Sequence, residues 1–371
     1  MEQQATRFTV VGAGNAGKAM AAHMALEGAE VTLFNRTYAH IEVIDKRGGI
    51  ELDSSEGGPI GFGKLKLVTS DIELALKDAE VIMVATPASA HRNVAQMAAP
   101  YLKDGQIVIL NPGRTFGAIE FDRTLRDMGC VADVIVAETE TLIYACRAEG
   151  PAQAYIFRIK DAIPLAALPS VKNQIVLNAI AGVYPQFIDG VDVLHTGLNN
   201  MGAIFHPALT ILNAARIEST RGNFEFYIEG VTDAVASVLE AIDRERVTVA
   251  SSLGIRARTA MEWLRVAYNV GGTNLNEAIH NQTGYMGIKA PGTLNHRYIF
   301  EDVPMSLVPI ASLGESYGVS VRGMDSLIRM ACIIHGTDYW RRGRTIEKLG
   351  MKGLTIEEIH AYVHHGVLHE D

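Results

Sequence analysis

Phe8-Thr9-Val10-Val11-Gly12-Ala13-Gly14-Asn15-Ala16-Gly17-Lys18 is the stretch from which the fold can be read. An apolar run suited to a buried strand enters Gly-x-Gly-x-x-Gly, and Lys18 to Glu27, rich in Ala and Met, continues with a helical pattern. Among 35 glycines a chance match is easy. Lying directly between a strand and a helix, however, the loop has the context a dinucleotide site requires. Gly12 permits the tight turn, Gly14 lets backbone approach a pyrophosphate, and Gly17 lets helix and strand pack closely. The phosphates then face free amides at the positive end of the helix. Gly12, Gly14, Asn15, Ala16 and Gly17 are therefore candidate cofactor-binding residues.

Outward from this loop, strand-like and helix-like runs alternate. Gly28 is a candidate helix C-cap, and Val31–Phe34, Val81–Val84, Ile107–Leu110 and Val134–Val136 read as strands. Strands this apolar suit a parallel sheet covered on both faces. The glycine-rich interruption from Gly48 to Thr69 reads as an antiparallel excursion, and strand signals fade after Ile159. Helical patterns follow at Val171–Ala181, Ala257–Tyr268, Met305–Tyr317, Asp325–Ile334 and Thr355–His364, and Val231, Val235, Val238 and Ile242 recur as one helical stripe. The expected fold is α/β: a Rossmann doubly wound parallel sheet over 1–186, then a mostly α-helical domain over 187–371.

An NAD-binding loop of this type normally ends its second strand with an acid that accepts from the ribose 2′-hydroxyl. Here Asn35-Arg36-Thr37 stands at that point. A guanidinium can pair with a 2′-phosphate that a carboxylate would repel, so NADP(H) is the expected cofactor and NAD(H) the alternative. Thr86-Pro87 and Asn111-Pro112-Gly113 follow later strands, whose C-terminal ends line the ligand crevice in such sheets. Asn35, Arg36, Thr86, Pro87 and Asn111 complete the cofactor set, although Pro and Gly there also serve simply as turn residues.

Composition excludes several classes. Lys+Arg number 33 against 42 Asp+Glu, a net charge of −9, which argues against a nucleic-acid partner. Three scattered cysteines suggest neither disulfides nor a zinc site. Met1-Glu2-Gln3-Gln4 lacks the basic start of a signal peptide. The uncharged run Val193–Ala215 is long enough to span a bilayer, but it carries His195, Asn199, Asn200, His206, Pro207 and Asn213. The expectation is a soluble cytoplasmic protein without membrane contact; apolar helices in the second half are compatible with a homodimer.

Two clusters could carry chemistry. His206-Pro207 would open a helix if the proline occupied its first position, although a histidine among Ile204, Phe205 and Leu209 is equally an ordinary core residue, and His195 has similar standing. Arg297-Tyr298-Ile299-Phe300-Glu301-Asp302-Val303-Pro304 offers a guanidinium and two acids, with Asp302 also readable as a helix cap. Between Lys172 and Lys348 only Lys289 occurs, so a lysine base in the second domain is disfavoured. His360, His364, His365 and His369 crowd the C-terminal end, where an exposed helix explains them and no metal is assigned.

Taken together, the loop Gly12–Gly17, the element Asn199-Asn200-Met201-Gly202-Ala203-Ile204-Phe205-His206-Pro207, and Arg297–Pro304 with Leu307-Val308-Pro309 resemble the opine dehydrogenases of the octopine/nopaline type. The resemblance spans nearly the whole chain. It implies a catalytic dyad of His206 and Asp302, with Glu301 as the competing carboxylate, and Arg297 holding the carboxylate of a 2-oxo acid; Asn199 and Asn200 are the accompanying substrate-side candidates. Asn35-Arg36 departs from the acid of NAD-using members.

The chemistry so implied is condensation of a 2-oxo acid with the amino group of an amino acid or amine, followed by reduction of the imine by NAD(P)H, and the reverse oxidation. Competing readings are a ketopantoate-reductase-like reductase of a small ketone or preformed imine, and a non-catalytic NADP(H)-binding regulator.

Overall fold

The computed structural model describes residues 6–55 and 57–367, so the Met1–Gln4 and His369 readings lie outside the described residues. The first compact unit comprises the described residues up to Thr196 together with those from Glu357 onward; Gly197–Ile356 form the second. The sequence had suggested a break at 186/187. The difference comes from the strand Phe187–Asp189 and a C-terminal helix, which belong to the first unit, and the boundary falls within the helix Val193–Leu198.

Twelve strands are seen among the described residues: β1 (Arg7–Val11), β2 (Glu30–Phe34), β3 (Gly49–Ser54), β4 (Gly61–Lys64), β5 (Leu67–Thr69), β6 (Val81–Val84), β7 (Ile107–Leu110), β8 (Ile135–Thr139), β9 (Tyr144–Gly150), β10 (Gln153–Ile159), β11 (Ile163–Leu168) and β12 (Phe187–Asp189). Eight form one sheet in the order β12-β11-β8-β7-β6-β1-β2-β5. Its neighbours pair in parallel except β8 with β11. From β1 the chain moves outward through β2 to β5, then returns to β6 on the other side of β1. The C-terminal ends of β1 and β6 therefore flank the point where winding reverses, which is where such sheets bind ligands.

Val10, Leu33, Met83 and Ile109 are wholly buried, each contributing about 1.5–3 kcal/mol relative to exposure. The antiparallel excursion exists as β3 with β4. The sequence did not reveal that β9 and β10 join them in a second, four-stranded sheet, nor that β11 and β12 extend the main one. The helix Asn15–Leu26 packs beneath that second sheet: Asn15 Oδ1 accepts from Ala148 N at 3.0 Å, and Lys18 Nζ donates to Gly150 O at 3.0 Å. Burial lowers the Lys18 pKa. Farther along, His23 Nδ1 shares a 2.9 Å hydrogen bond with Tyr144 Oη, and Tyr144 donates to Tyr184 at 2.7 Å. Burial holds the His23 imidazole down at about 4.

The second unit is helical, apart from one isolated bridge between Glu225 and Lys289. Its long helix, Asp233–Ser252, buries Ala236, Leu239, Ile242, Asp243, Arg246 and Val249. That face is rotated from the expected stripe: Val231 precedes the helix, and Val235 and Val238 lie half-buried on its flank. Polar groups decided the rotation. Arg246 and Asp243 are a buried ion pair at 2.6 Å, and Arg246 also donates to the carbonyls of Leu198 and Arg258. The uncharged run from Val193 is divided between helices Val193–Leu198 and Gly202–Leu212. Among the described residues, no helix is long and apolar enough to cross a membrane.

Candidate active site

Gly12 has φ +109°, and a Cβ there would sit 3.0 Å from Thr86 Cγ2, so the tails of β1 and β6 touch at this glycine. At Gly17 a Cβ would fall 1.8 Å from Gly12 O, so helix and turn meet only without a side chain. Gly14 differs: a Cβ there would meet nothing within 4 Å, so protein packing does not require glycine. A pyrophosphate laid against that backbone does. Two buried oxygens at the strand ends, Thr86 Oγ1 and Asn111 Oδ1, have no protein partner among the described residues, and each is a ready hydrogen-bond site. These observations fit a dinucleotide.

Beside this turn runs a groove of about 200 Å³. Its apolar wall includes Pro87, Val94 and Met97, and its polar lip is Asn35, Arg36, Thr37 and His40. Asn35 accepts from Ala13 N at 3.3 Å and donates to Thr37 O at 2.9 Å, bracing the lip against the glycine loop.

The loop after β7 holds Arg114 and Phe116 at φ +61°, costing about 1–2 kcal/mol each. Glu138, wholly buried at the end of β8, helps fix the loop. It accepts from Ala118 N at 2.8 Å and Thr196 Oγ1 at 2.7 Å, and a Cβ on Gly113 would strike it at 2.4 Å. Sequence reading missed Glu138. An acid closing an apolar strand was its one visible signal.

In the second unit, His206 Nδ1 and Asp302 Oδ2 are 2.9 Å apart although 96 residues separate them. Asp302 is completely buried, whereas His206 keeps 19% of its side chain exposed. Pro207 is not the first helical residue: it lies inside Gly202–Leu212, so His206 is mid-helix. The helix gives up only the bond Pro207 cannot donate to the Ala203 carbonyl, and Thr210 Oγ1 donates to His206 O at 2.7 Å. Nor does Asp302 serve as a cap by its side chain; it precedes a π-helical turn, Val303–Leu307, and its carboxylate goes to the imidazole.

Glu301 instead pairs with Arg297 Nε at 3.6 Å. Arg297 opens the helix Arg297–Phe300 and is half-exposed. The next residue, Tyr298, was missed; its ring stacks on His206 at 4.0 Å and 18°, and Phe226 also stacks on it at 5.4 Å. Those stacked rings fix the imidazole plane. His296, which caps the same helix, has its pKa lowered by burial and then by the Arg297 and His206 charges.

Asn200 and Asn199 both hold neighbouring chain. Asn200 Nδ2 donates to Ser306 Oγ at 2.9 Å, within the turn that Asp302 precedes, and Asn199 Oδ1 accepts from Arg258 N at 3.0 Å. His195 bonds Asp192 at 2.8 Å in the first unit, where Asp192 also accepts from Leu194 N and His195 N. His364 is tied to Ser170 at 2.9 Å. Among the described residues no group of three or more His, Cys, Asp or Glu side chains could hold a metal ion.

Residues 190–335 match the NAD/NADP octopine/nopaline dehydrogenase alpha-helical domain, and residues 7–113 match the N-terminus of NAD-dependent glycerol-3-phosphate dehydrogenase. The chain is 39% identical over 356 residues to the opine dehydrogenase of Arthrobacter sp. (strain 1C), covering 96% of this chain and 98% of that one. It is 25% identical to Protein ocs of Agrobacterium tumefaciens (strain Ach5), over 95% and 98% of the two chains. Its fold is similar to that of a solved octopine dehydrogenase with NADH and L-arginine, with TM-score 0.82, 21% identity and 99% coverage of each chain. A yersinopine dehydrogenase with NADP+ bound has TM-score 0.75 at 17% identity, over 97% and 98%. With a matching α-helical domain and a full-length relative at this identity, the chain belongs to the opine dehydrogenase family of NAD(P)-dependent oxidoreductases that act on CH–NH bonds.

Proposed function

We propose that this protein reductively condenses a 2-oxo acid with the amino group of an amino acid or amine, and runs the reverse oxidation, with His206 and Asp302 as catalytic dyad and Arg297 as carboxylate ligand. The observation that carries this reading is the 2.9 Å contact of a fully buried Asp302 with His206, with Arg297 opening the short helix just before Asp302. An octopine dehydrogenase of the same fold has been solved with NADH and L-arginine, and with NADH and agmatine, which supports an amine-bearing substrate here. The same enzyme with NADH and pyruvate supports the oxo acid.

Asp302 accepts from Nδ1–H of His206, which fixes the tautomer and leaves Nε2 as the proton-carrying atom. Loss of water on imine formation needs a proton donor, and the reverse reaction needs a base; the imidazole serves as both. The charge it gains is balanced by the carboxylate beneath it. Tyr298 keeps the ring from turning. The forked guanidinium of Arg297 orients the oxo-acid carboxylate, with Glu301 steadying its Nε. Asn199 and Asn200 act by bracing the segments around the dyad.

NAD(P)H, when bound, supplies the hydride. Gly14 and the amides of Asn15 and Ala16 would hold its pyrophosphate, Thr86 and Asn111 the ribose and nicotinamide side, and Arg36 a 2′-phosphate. We assign NADP(H) as the preferred form because Arg36 stands where an acid would select NAD(H). The test is loss of NADPH absorbance with pyruvate, with and without a panel of amino acids and amines. Consumption only when both substrates are present is expected. Consumption with the oxo acid alone would replace this reading with a simple ketone reductase.

A further inference from the structure

The basic residues around the end of β2 are not alike. Lys46 pairs with Glu42 at 2.6 Å, Arg47 with Glu51 at 3.5 Å and Lys66 with Glu30 at 3.3 Å. Arg36 and His40, on the groove lip, have no side-chain hydrogen bond or ion pair among the described residues, and no carboxylate lines the groove. The nearest acids on the following helix are engaged, Glu42 by Lys46 and Asp45 by Tyr38 Oη at 2.7 Å. His40 closes the short 3-10 turn Tyr38–His40, whose register is set by His40 N donating to Thr37 O at 3.1 Å. One groove thus has two nitrogen-bearing side chains with N–H groups to donate, the hydroxyl of Thr37 and no carboxylate.

We propose that His40 is a second specificity residue, acting with Arg36 to bind a phosphate monoester on the adenosine ribose. This rests on the NADP(H) reading and deepens it. A 2′-phosphate brings up to two negative charges and three acceptor oxygens, more than one guanidinium satisfies. Arg36 offers a planar fork and His40 an imidazole N–H on the same groove, while the apolar wall at Val94 and Met97 receives the base. A nucleotide ending in a free 2′-hydroxyl engages neither side chain fully.

Calorimetric binding of adenosine 2′,5′-bisphosphate, its 3′,5′ isomer, 5′-AMP and inorganic phosphate to the whole chain tests this. The wild type is expected to favour the 2′,5′ isomer. His40→Ala should weaken that ligand roughly tenfold and Arg36→Ala roughly a hundredfold, with 5′-AMP changed less than about twofold. Loss in Arg36→Ala but not in His40→Ala overturns the role of His40 and leaves the NADP(H) reading standing. Equal wild-type affinity for 5′-AMP and the 2′,5′ isomer overturns both. Equal binding of the two bisphosphates overturns the assignment to the 2′ position, and inorganic phosphate competing as strongly as the nucleotide reduces the pair to a general anion site.

Discussion

Replacing Asp302 by asparagine exchanges a carboxylate oxygen for an amide nitrogen at a position with no solvent exposure. Volume is conserved, so packing around Val303 and Ser306 is little disturbed. What changes is electrostatic. The 2.9 Å bond to His206 Nδ1 loses its charge, and the imidazole loses the buried partner that balances its protonated form. Breaking a buried pair by removing one charge costs about 3–5 kcal/mol. At about 1.4 kcal/mol per factor of ten, kcat should fall by roughly two to three and a half orders of magnitude. Because the dyad lies in the second unit and the glycine loop in the first, NADPH affinity should stay within about twofold. Steady-state kinetics with saturating substrates and fluorescence titration of NADPH measure the two quantities separately. Glu301→Gln is the control: that carboxylate pairs with Arg297. It should mainly raise the KM for the oxo acid. If Asp302→Asn turns over within a few-fold of wild type, or if Glu301→Gln is equally crippled, the dyad assignment is wrong.

Arg297→Ala should raise the KM of the oxo acid by roughly ten- to a hundredfold, from loss of a charge-assisted contact, with a smaller effect on kcat; an unchanged KM would remove the guanidinium from the substrate. Gly14→Ala and Gly17→Ala should separate ligand from fold: the first leaves Tm near wild type and weakens NADPH, whereas the second, with a Cβ 1.8 Å from Gly12 O, lowers Tm itself. Equal Tm losses in the two would refute that division. His23, held at about 4 in the folded protein against 6.5, makes the unfolded chain the better proton acceptor between those values. Its stabilising effect is complete above pH 6.5 and is lost as pH falls toward 4, by up to about 3 kcal/mol. Chemical denaturation from pH 7 to 4 should show this slope, and His23→Gln should flatten it; parallel profiles would dismiss His23 as the cause.

The order in which secondary elements alternate was legible in the residues themselves, because strand and helix periodicities are local, and so was the glycine loop, whose function depends on six consecutive positions. The candidacy of Arg36 likewise comes from local position, just past a recognisable strand. Apolar alternation faded where partners were distant: β9 and β10 carry exposed, charged positions and pair with each other, with β10 alone lying beside β3, while β11 and β12 are short additions to a sheet already formed. Helical periodicity also misplaced the buried face of Asp233–Ser252, because it counts only apolar residues and the face includes an Asp–Arg pair. Which carboxylate meets His206 was beyond any spacing rule. Glu301 and Asp302 are adjacent, and the turn of the chain into a π-helix sends one side chain to the imidazole and the other to Arg297. Residue types suited to the chemistry are written along the chain; their distances arise only when segments 96 residues apart pack together, since no local interaction spans that separation.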